Sequence, residues 1–137
     1  MTSELTNELF SFYNGFASWE NSVIKSSELT VAEAHAIEAL GQYGSMNMKS
    51  LSEKLGVTTG TTTVTVDRLE KNQYAQRESV KADRRMYLIS LTEKGLIAYR
   101  EHHDYHNHLT EQILSVLSED ESIQFLALLR KINKHTF

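Results

Sequence analysis

The chain has 137 residues, of which 40% are apolar, and a formal net charge of −4. That length suits one domain, or one domain with long appendages. No apolar run approaches the roughly 20 residues of a membrane-spanning helix. The absence of cysteine excludes disulfides, thiolate metal ligation and thiol redox chemistry. The opening stretch MTSELTNELF lacks the basic start and apolar core of a secretory signal, so the expectation is a cytoplasmic protein. With no proline and only 6 glycines, helices are favoured over a turn-dense sheet fold.

The charge is unevenly placed. Residues 46–100 carry ten Lys/Arg and six Asp/Glu, net +4, whereas the remainder is net −8. Screening confines exposed charges to about 8–10 Å, so local distribution outweighs the total. A basic middle between acidic arms fits a nucleic-acid-reading module on a scaffold that faces elsewhere.

In chain order, Leu5, Leu9, Phe12, Phe16, Trp19 and Val23 recur at spacings of four and three, a single helical stripe. The pattern breaks at Ser26–Ser27. Thr30 is placed to cap a second helix reaching about Leu40, with Glu33 at the capping-box spacing and Gly41 and Gly44 marking the end. A short third helix is predicted from about Met48 to Leu55, closed by Gly56. Thr58 caps a fourth helix that continues to about Lys71, with Thr62, Val66 and Leu69 inward. Leu51, Leu55, Val57, Val66 and Leu69 then outline two short helices crossing around a glycine turn, a helix-turn-helix arrangement.

Residues 75–80 and 86–91 have strand-like composition and flank the charged segment 81–85, which predicts a β-hairpin with a charged tip. Thr92 caps a long fifth helix through Ile97 and Leu109 to about Val116 or Leu117. Ser118 starts a sixth, carrying Ile123, Leu126, Leu129 and Ile132. The predicted fold is therefore mainly α with a small β-hairpin wing, in the order α-α-α-α-β-β-α-α.

Four segments in order carry a family resemblance: Leu51-Ser-Glu-Lys-Leu-Gly-Val57, Val66-Asp-Arg-Leu-Glu-Lys71, Asp83-Arg-Arg85 and Leu91-Thr-Glu-Lys-Gly95. With these the chain resembles the MarR family of transcription regulators, over nearly its whole length. The resemblance implies a winged helix-turn-helix module at about 30–95, and helical dimerisation regions at 1–29 and 96–137. It implies a dimer that binds a pseudo-palindromic operator, in most cases as a repressor. Five threonines among positions 58–63 depart from the usual recognition helix and bear on base preference.

A helix fits the major groove, about 12 Å wide, with its N-terminal residues reaching base edges. The exposed readers should be Thr59, Gly60, Thr63 and Val64, with Thr58 capping and Thr62 packing. Arg68, further along, is placed for a phosphate or a local carboxylate. Arg84 and Arg85 at a hairpin tip serve no core, and narrow minor grooves favour inserted arginine. The resemblance implies that Arg85 enters the minor groove while Asp83 orients the loop. Lys81, and Lys49 or Ser50, are candidate phosphate contacts. The stripe from Leu5 to Val23, with Leu109, Ile113, Ile123, Leu126 and Ile132, is the expected dimer surface.

His102 and His106, four apart, share a helical face suited to zinc or nickel, and His35 can join them. This pattern is similar to zinc-uptake repressors of the family. Ala34-His35-Ala-Ile37 and Arg100-Glu-His102 are equally similar to its fatty-acid-synthesis repressors, which respond to acyl chains on acyl carrier protein. Polar histidines on an exposed helix or in a dimer interface account for the same residues. No cofactor is required, and an acyl chain or a metal is the effector expected.

Two rival classes stand against a DNA-binding regulator. A metal-dependent enzyme would be expected to carry a Gly-rich phosphate loop, a nucleophile elbow or a His-Glu-x-x-His motif, none of which the sequence contains. A winged-helix protein interaction module has no need of a basic wing following a threonine-rich helix.

Overall fold

The computed structural model describes residues 1–137 apart from the side chains of Asp83 and Arg84. Eight elements follow in order: α1 (Thr2–Ile24), α2 (Val31–Tyr43), α3 (Met48–Leu55), α4 (Thr59–Lys71), β1 (Ala75–Val80), β2 (Asp83–Leu91), α5 (Glu93–Ser115) and α6 (Glu119–Thr136). Mainly helical with a two-stranded antiparallel hairpin, this is the predicted winged-helix architecture. The chain forms two compact units, Met1–His102 and His103–Phe137. No helix of the described residues is long and apolar enough to cross a membrane.

The core of the first unit lies where α2, α3, α4 and the hairpin meet. Ile37 and Leu40 of α2, Leu51 of α3, Val66 and Leu69 of α4, and Ile89 of β2 are buried there, with Met46, Ala75 and small residues of α2. Ile37 and Leu40, and Val66 and Leu69, lie three apart on their helices, and half-buried Leu55 lies four beyond Leu51, so each helix turns one face to the shared core. Met46 extends the sheet by one residue. Its N–H donates to Ile89 O at 3.2 Å and its carbonyl accepts from Ile89 N–H at 2.8 Å, which fastens β2 to the start of the helix-turn-helix.

Local chemistry sets the helix ends. The side chains of Thr30, Asn47, Thr58 and Ser118 accept N–H bonds from residues three positions on. Ser118 and Glu121 complete a reciprocal capping box. Thr30 and Glu33 do not, because the Thr30 hydroxyl donates to Glu33 Oε1 instead, at 3.0 Å. Gly56 closes α3 in the left-handed region at φ 66.

One helix boundary and the burial at two places differ from the sequence-based expectation. Helix α2 runs past Leu40 and Gly41 to Tyr43, and Gly44 at φ 85 ends it. Gly41 stays helical because the Tyr99 ring packs where its Cβ would stand. Val57, expected in the crossing of α3 and α4, is exposed; its N–H bonds Ser52 O and turns its side chain outward. At the end of α1 the buried positions are Glu20 and Ile24, while Val23 is half-buried.

The hairpin tip is tighter than predicted. Lys81 and Ala82 form the turn, and Val80 pairs with Asp83. Ser79 pairs with Tyr87, so Arg84, Arg85 and Met86 of β2 fall between two consecutive residues of β1. The result is a bulge in the ladder, which diverts this stretch of β2 from regular pairing.

The second unit holds the end of α5 and α6. On α6, Ile123, Leu126 and Ile132 are exposed.

Candidate nucleic-acid interface

Helix α4 buries one face and exposes another. Thr62, Val66 and Leu69 are fully buried, as the spacing predicted, and Thr65 joins them. Thr59, Gly60, Val64 and Arg68 are exposed, and Thr63 is half-buried. The face opposite the core therefore presents most of the predicted readers.

The threonines divide by their hydrogen bonds. Thr58 Oγ1 accepts from Thr61 N–H at 3.2 Å and donates to Thr61 Oγ1 at 3.0 Å, so it acts as a cap. Thr62 Oγ1 donates to Thr58 O at 3.0 Å and accepts from Ser52 Oγ at 2.9 Å, joining α4 to α3. Thr63 Oγ1 donates to Thr59 O at 2.8 Å, which leaves its oxygen lone pairs and its methyl to face outward. A Cβ on Gly60 would meet only Thr58 Oγ1, at 3.9 Å, so nothing in the fold requires glycine there.

The wing stands beside this helix. Lys81 and Arg85 are exposed. The expectations for Asp83 and Arg84 concern side chains outside the described residues. An open groove of about 290 Å³ at the root of the wing is lined in part by Asn47, Lys49, Arg77, Arg85 and Tyr87. It gathers Lys49 and Arg85 of the predicted set together with an arginine that the sequence did not single out.

That residue is Arg77 of β1. It binds Asp67 Oδ1 at 2.6 Å and Glu70 Oε1 at 2.9 Å, both on α4. The hydrogen bond with Asp67 leads in raising the guanidinium above its ordinary range, against a smaller opposing effect of burial. Arg68 is expected to bind a phosphate or a local carboxylate, and these two carboxylates are held by Arg77. An arginine three residues into a strand gives no local signal of a helix partner ten residues earlier.

A motif at the start of α5 holds the end of α4. Thr92 Oγ1 donates to Gln73 O at 2.6 Å, Thr92 N–H to Tyr74 O at 3.0 Å and Lys94 Nζ to Asn72 O at 2.9 Å. Gln73 itself adopts φ 66, and these bonds satisfy the carbonyls around that bend.

Two histidines, His35 and His102, belong to the first unit. His35 Nε2 is 2.7 Å from Glu20 Oε1, and a ring nitrogen of buried His102 lies within 4.8 Å of a Glu20 carboxylate oxygen. Glu20 thus lies near both His35 and His102. Sequence reading missed it because it adjoins the apolar stripe, four residues before buried Ile24. His106 follows one turn further along α5 and is half-buried.

Two crossed helices around a left-handed glycine, an exposed threonine-rich face and a basic hairpin beside it define a winged helix-turn-helix protein. The sequence pattern of the MarR family matches residues 29–87. An uncharacterized HTH-type transcriptional regulator of Bacillus cereus is 30% identical over 135 residues, 93% of this chain and 86% of that protein. The HTH-type transcriptional repressor MdtR of Bacillus subtilis is 28% identical over 104 residues, 76% of this chain and 67% of that protein. Among solved structures, Streptococcus pneumoniae FabT in complex with DNA is similar at a TM-score of 0.88 and 26% identity, over 98% of this chain and 96% of that one. The chain belongs to the MarR family. It is a DNA-binding transcription regulator, not an enzyme.

Proposed function

We propose that this regulator acts in the cytoplasm as a homodimeric repressor that reads a pseudo-palindromic operator with α4 in the major groove and the wing in the minor groove. The exposed face of α4 carries this reading. Thr59, Gly60 and Val64 are exposed and Thr63 is half-buried, whereas Thr62, Val66 and Leu69 are buried. Thr59 and Thr63 offer hydroxyls and methyls to base edges, Val64 an apolar contact for thymine, and Thr58 holds the helix start toward the groove. Arg68 and Lys81 bind phosphates. Arg85 enters the minor groove, with Arg84 beside it and Asp83 orienting the loop, as the family resemblance implies.

Dimerisation follows from exposed apolar faces. Leu5, Leu9 and Phe12 of α1 are each more than half exposed, and Ile123, Leu126 and Ile132 of α6 are exposed as well. A monomer leaves this surface in water, whereas a second copy would cover it. Arg85→Ala tests the wing. A duplex selected by the wild-type protein from random-sequence DNA should be bound far more weakly by the variant, with the dimer intact in sedimentation. Unchanged binding at moderate salt would remove the wing from the interface.

The effector is a separate question. An acyl chain and a divalent metal are the two classes implied by the histidine pattern, and the proximity of the Glu20 carboxylate to His35 and His102 favours the metal. A carboxylate and imidazoles together are donors suited to zinc.

A further inference from the structure

Asp67 stands on the exposed stripe of α4, following Gly60 and Val64 at spacings of four and three. Glu70 lies one turn further along. Carboxylates on a helix face turned to DNA oppose the phosphate backbone, whose charge dominates binding. Both are engaged by one guanidinium. Arg77 places its two terminal nitrogens 2.6 Å from Asp67 Oδ1 and 2.9 Å from Glu70 Oε1, and its backbone N–H donates to Glu70 Oε2 at 3.2 Å.

The Arg77 side chain is 26% exposed and those of Asp67 and Glu70 are 57% and 41% exposed, so water screens the carboxylate side of this network and its contribution to folding is modest. Their location is the informative feature. The fork joins the root of the wing to the stripe that meets DNA, and lysine, a single point charge, cannot grip two carboxylates in this way.

We propose that Arg77 is a positioning residue for DNA binding, offsetting half of the negative charge of Asp67 and Glu70 on the recognition helix and holding both carboxylates so that the phosphate backbone can approach. This rests on the DNA-binding reading above. Without the guanidinium, two carboxylates would face the phosphates within about a Debye length of 8–10 Å. Arg77 then acts through its neighbours and touches no nucleotide itself.

The test uses a duplex selected by the full-length wild-type protein from random-sequence DNA, with affinity measured across a range of salt. Arg77→Gln should bind about tenfold more weakly or worse at moderate salt, with little change in thermal stability. Adding Asp67→Asn and Glu70→Gln to that variant should restore most of the lost affinity. Wild-type affinity in Arg77→Gln overturns the inference. So does failure of the two amides to restore binding; a salt dependence reduced by about one phosphate would then assign Arg77 a direct backbone contact. If Arg77→Gln does not fold, Arg77→Lys retains the charge without the fork. That variant should keep at least part of the wild-type affinity, and a loss of about tenfold or more despite the retained charge overturns the inference. A wild-type protein that selects no duplex overturns the DNA-binding reading, and this inference with it.

Discussion

Ser52 of α3 and Thr62 of α4 share a 2.9 Å hydrogen bond between two buried side chains where the helices cross. Ser52 Oγ also lies 2.7 Å from Met48 O, so its proton has a second acceptor within its own helix. Thr62→Val retains the shape and removes only the hydroxyl. A loss of about 1–2 kcal/mol is expected in urea denaturation, because the hydroxyl's bonds to Ser52 and to Thr58 O are both removed. Thr62→Ala, which also removes a buried methyl, should cost more. Equal stability of Thr62→Val and wild type would mean that shape alone sets the crossing.

Gly60 separates folding from binding. A Cβ there meets only Thr58 Oγ1 at van der Waals distance, and alanine is the better helix former by up to about 1 kcal/mol. Gly60→Ala should therefore be as stable as the wild type or slightly more so. If backbone approaches DNA at this point, the same variant should lose affinity. Undiminished binding would remove Gly60 from the contact surface and move the reading onto Thr63 and Val64.

At Gly95 the opposite holds. A Cβ would overlap the Tyr74 carbonyl oxygen, which already accepts the Thr92 N–H. Backbone yields less readily than a flexible side chain, so Gly95→Ala should lower stability by about 1–3 kcal/mol. The displaced segment directly follows α4, so operator affinity should fall as well. Thermal unfolding and binding measured on one preparation check both; a variant that retains both would show that α5 can shift without disturbing α4.

What could be read in the sequence was whatever a local pattern encodes. The cap at Thr58, the stop at Gly56 and the inward trio Thr62, Val66 and Leu69 depend on residues within one or two turns of each other. Accordingly α3 and β1 have the predicted bounds. The pairs Arg77–Asp67 and Glu20–His35 join residues 10 and 15 apart, and no periodicity marks them. The tip of the wing was misplaced for another reason. Residues 81–85 contain no glycine, proline or asparagine to locate a turn, and the bulge that takes Arg85 into β2 depends on register.

The cluster around Glu20 permits a test of the effector. His35 and His102 both approach its carboxylate, His102 is buried, and His106 lies four residues on along α5. A buried imidazole beside a carboxylate suits zinc, which takes nitrogen and oxygen donors at about 2.0–2.2 Å. Replacing His102 and His106 together by alanine should abolish zinc uptake in competition with a chromogenic chelator. Glu20→Gln should weaken uptake less, because an amide oxygen still donates. Zinc should also raise the thermal midpoint of the wild type but not of the double variant, since a ligand that binds only the folded state stabilises it. Equal zinc affinity in all three proteins would dismiss the metal and leave an acyl chain as the effector to pursue.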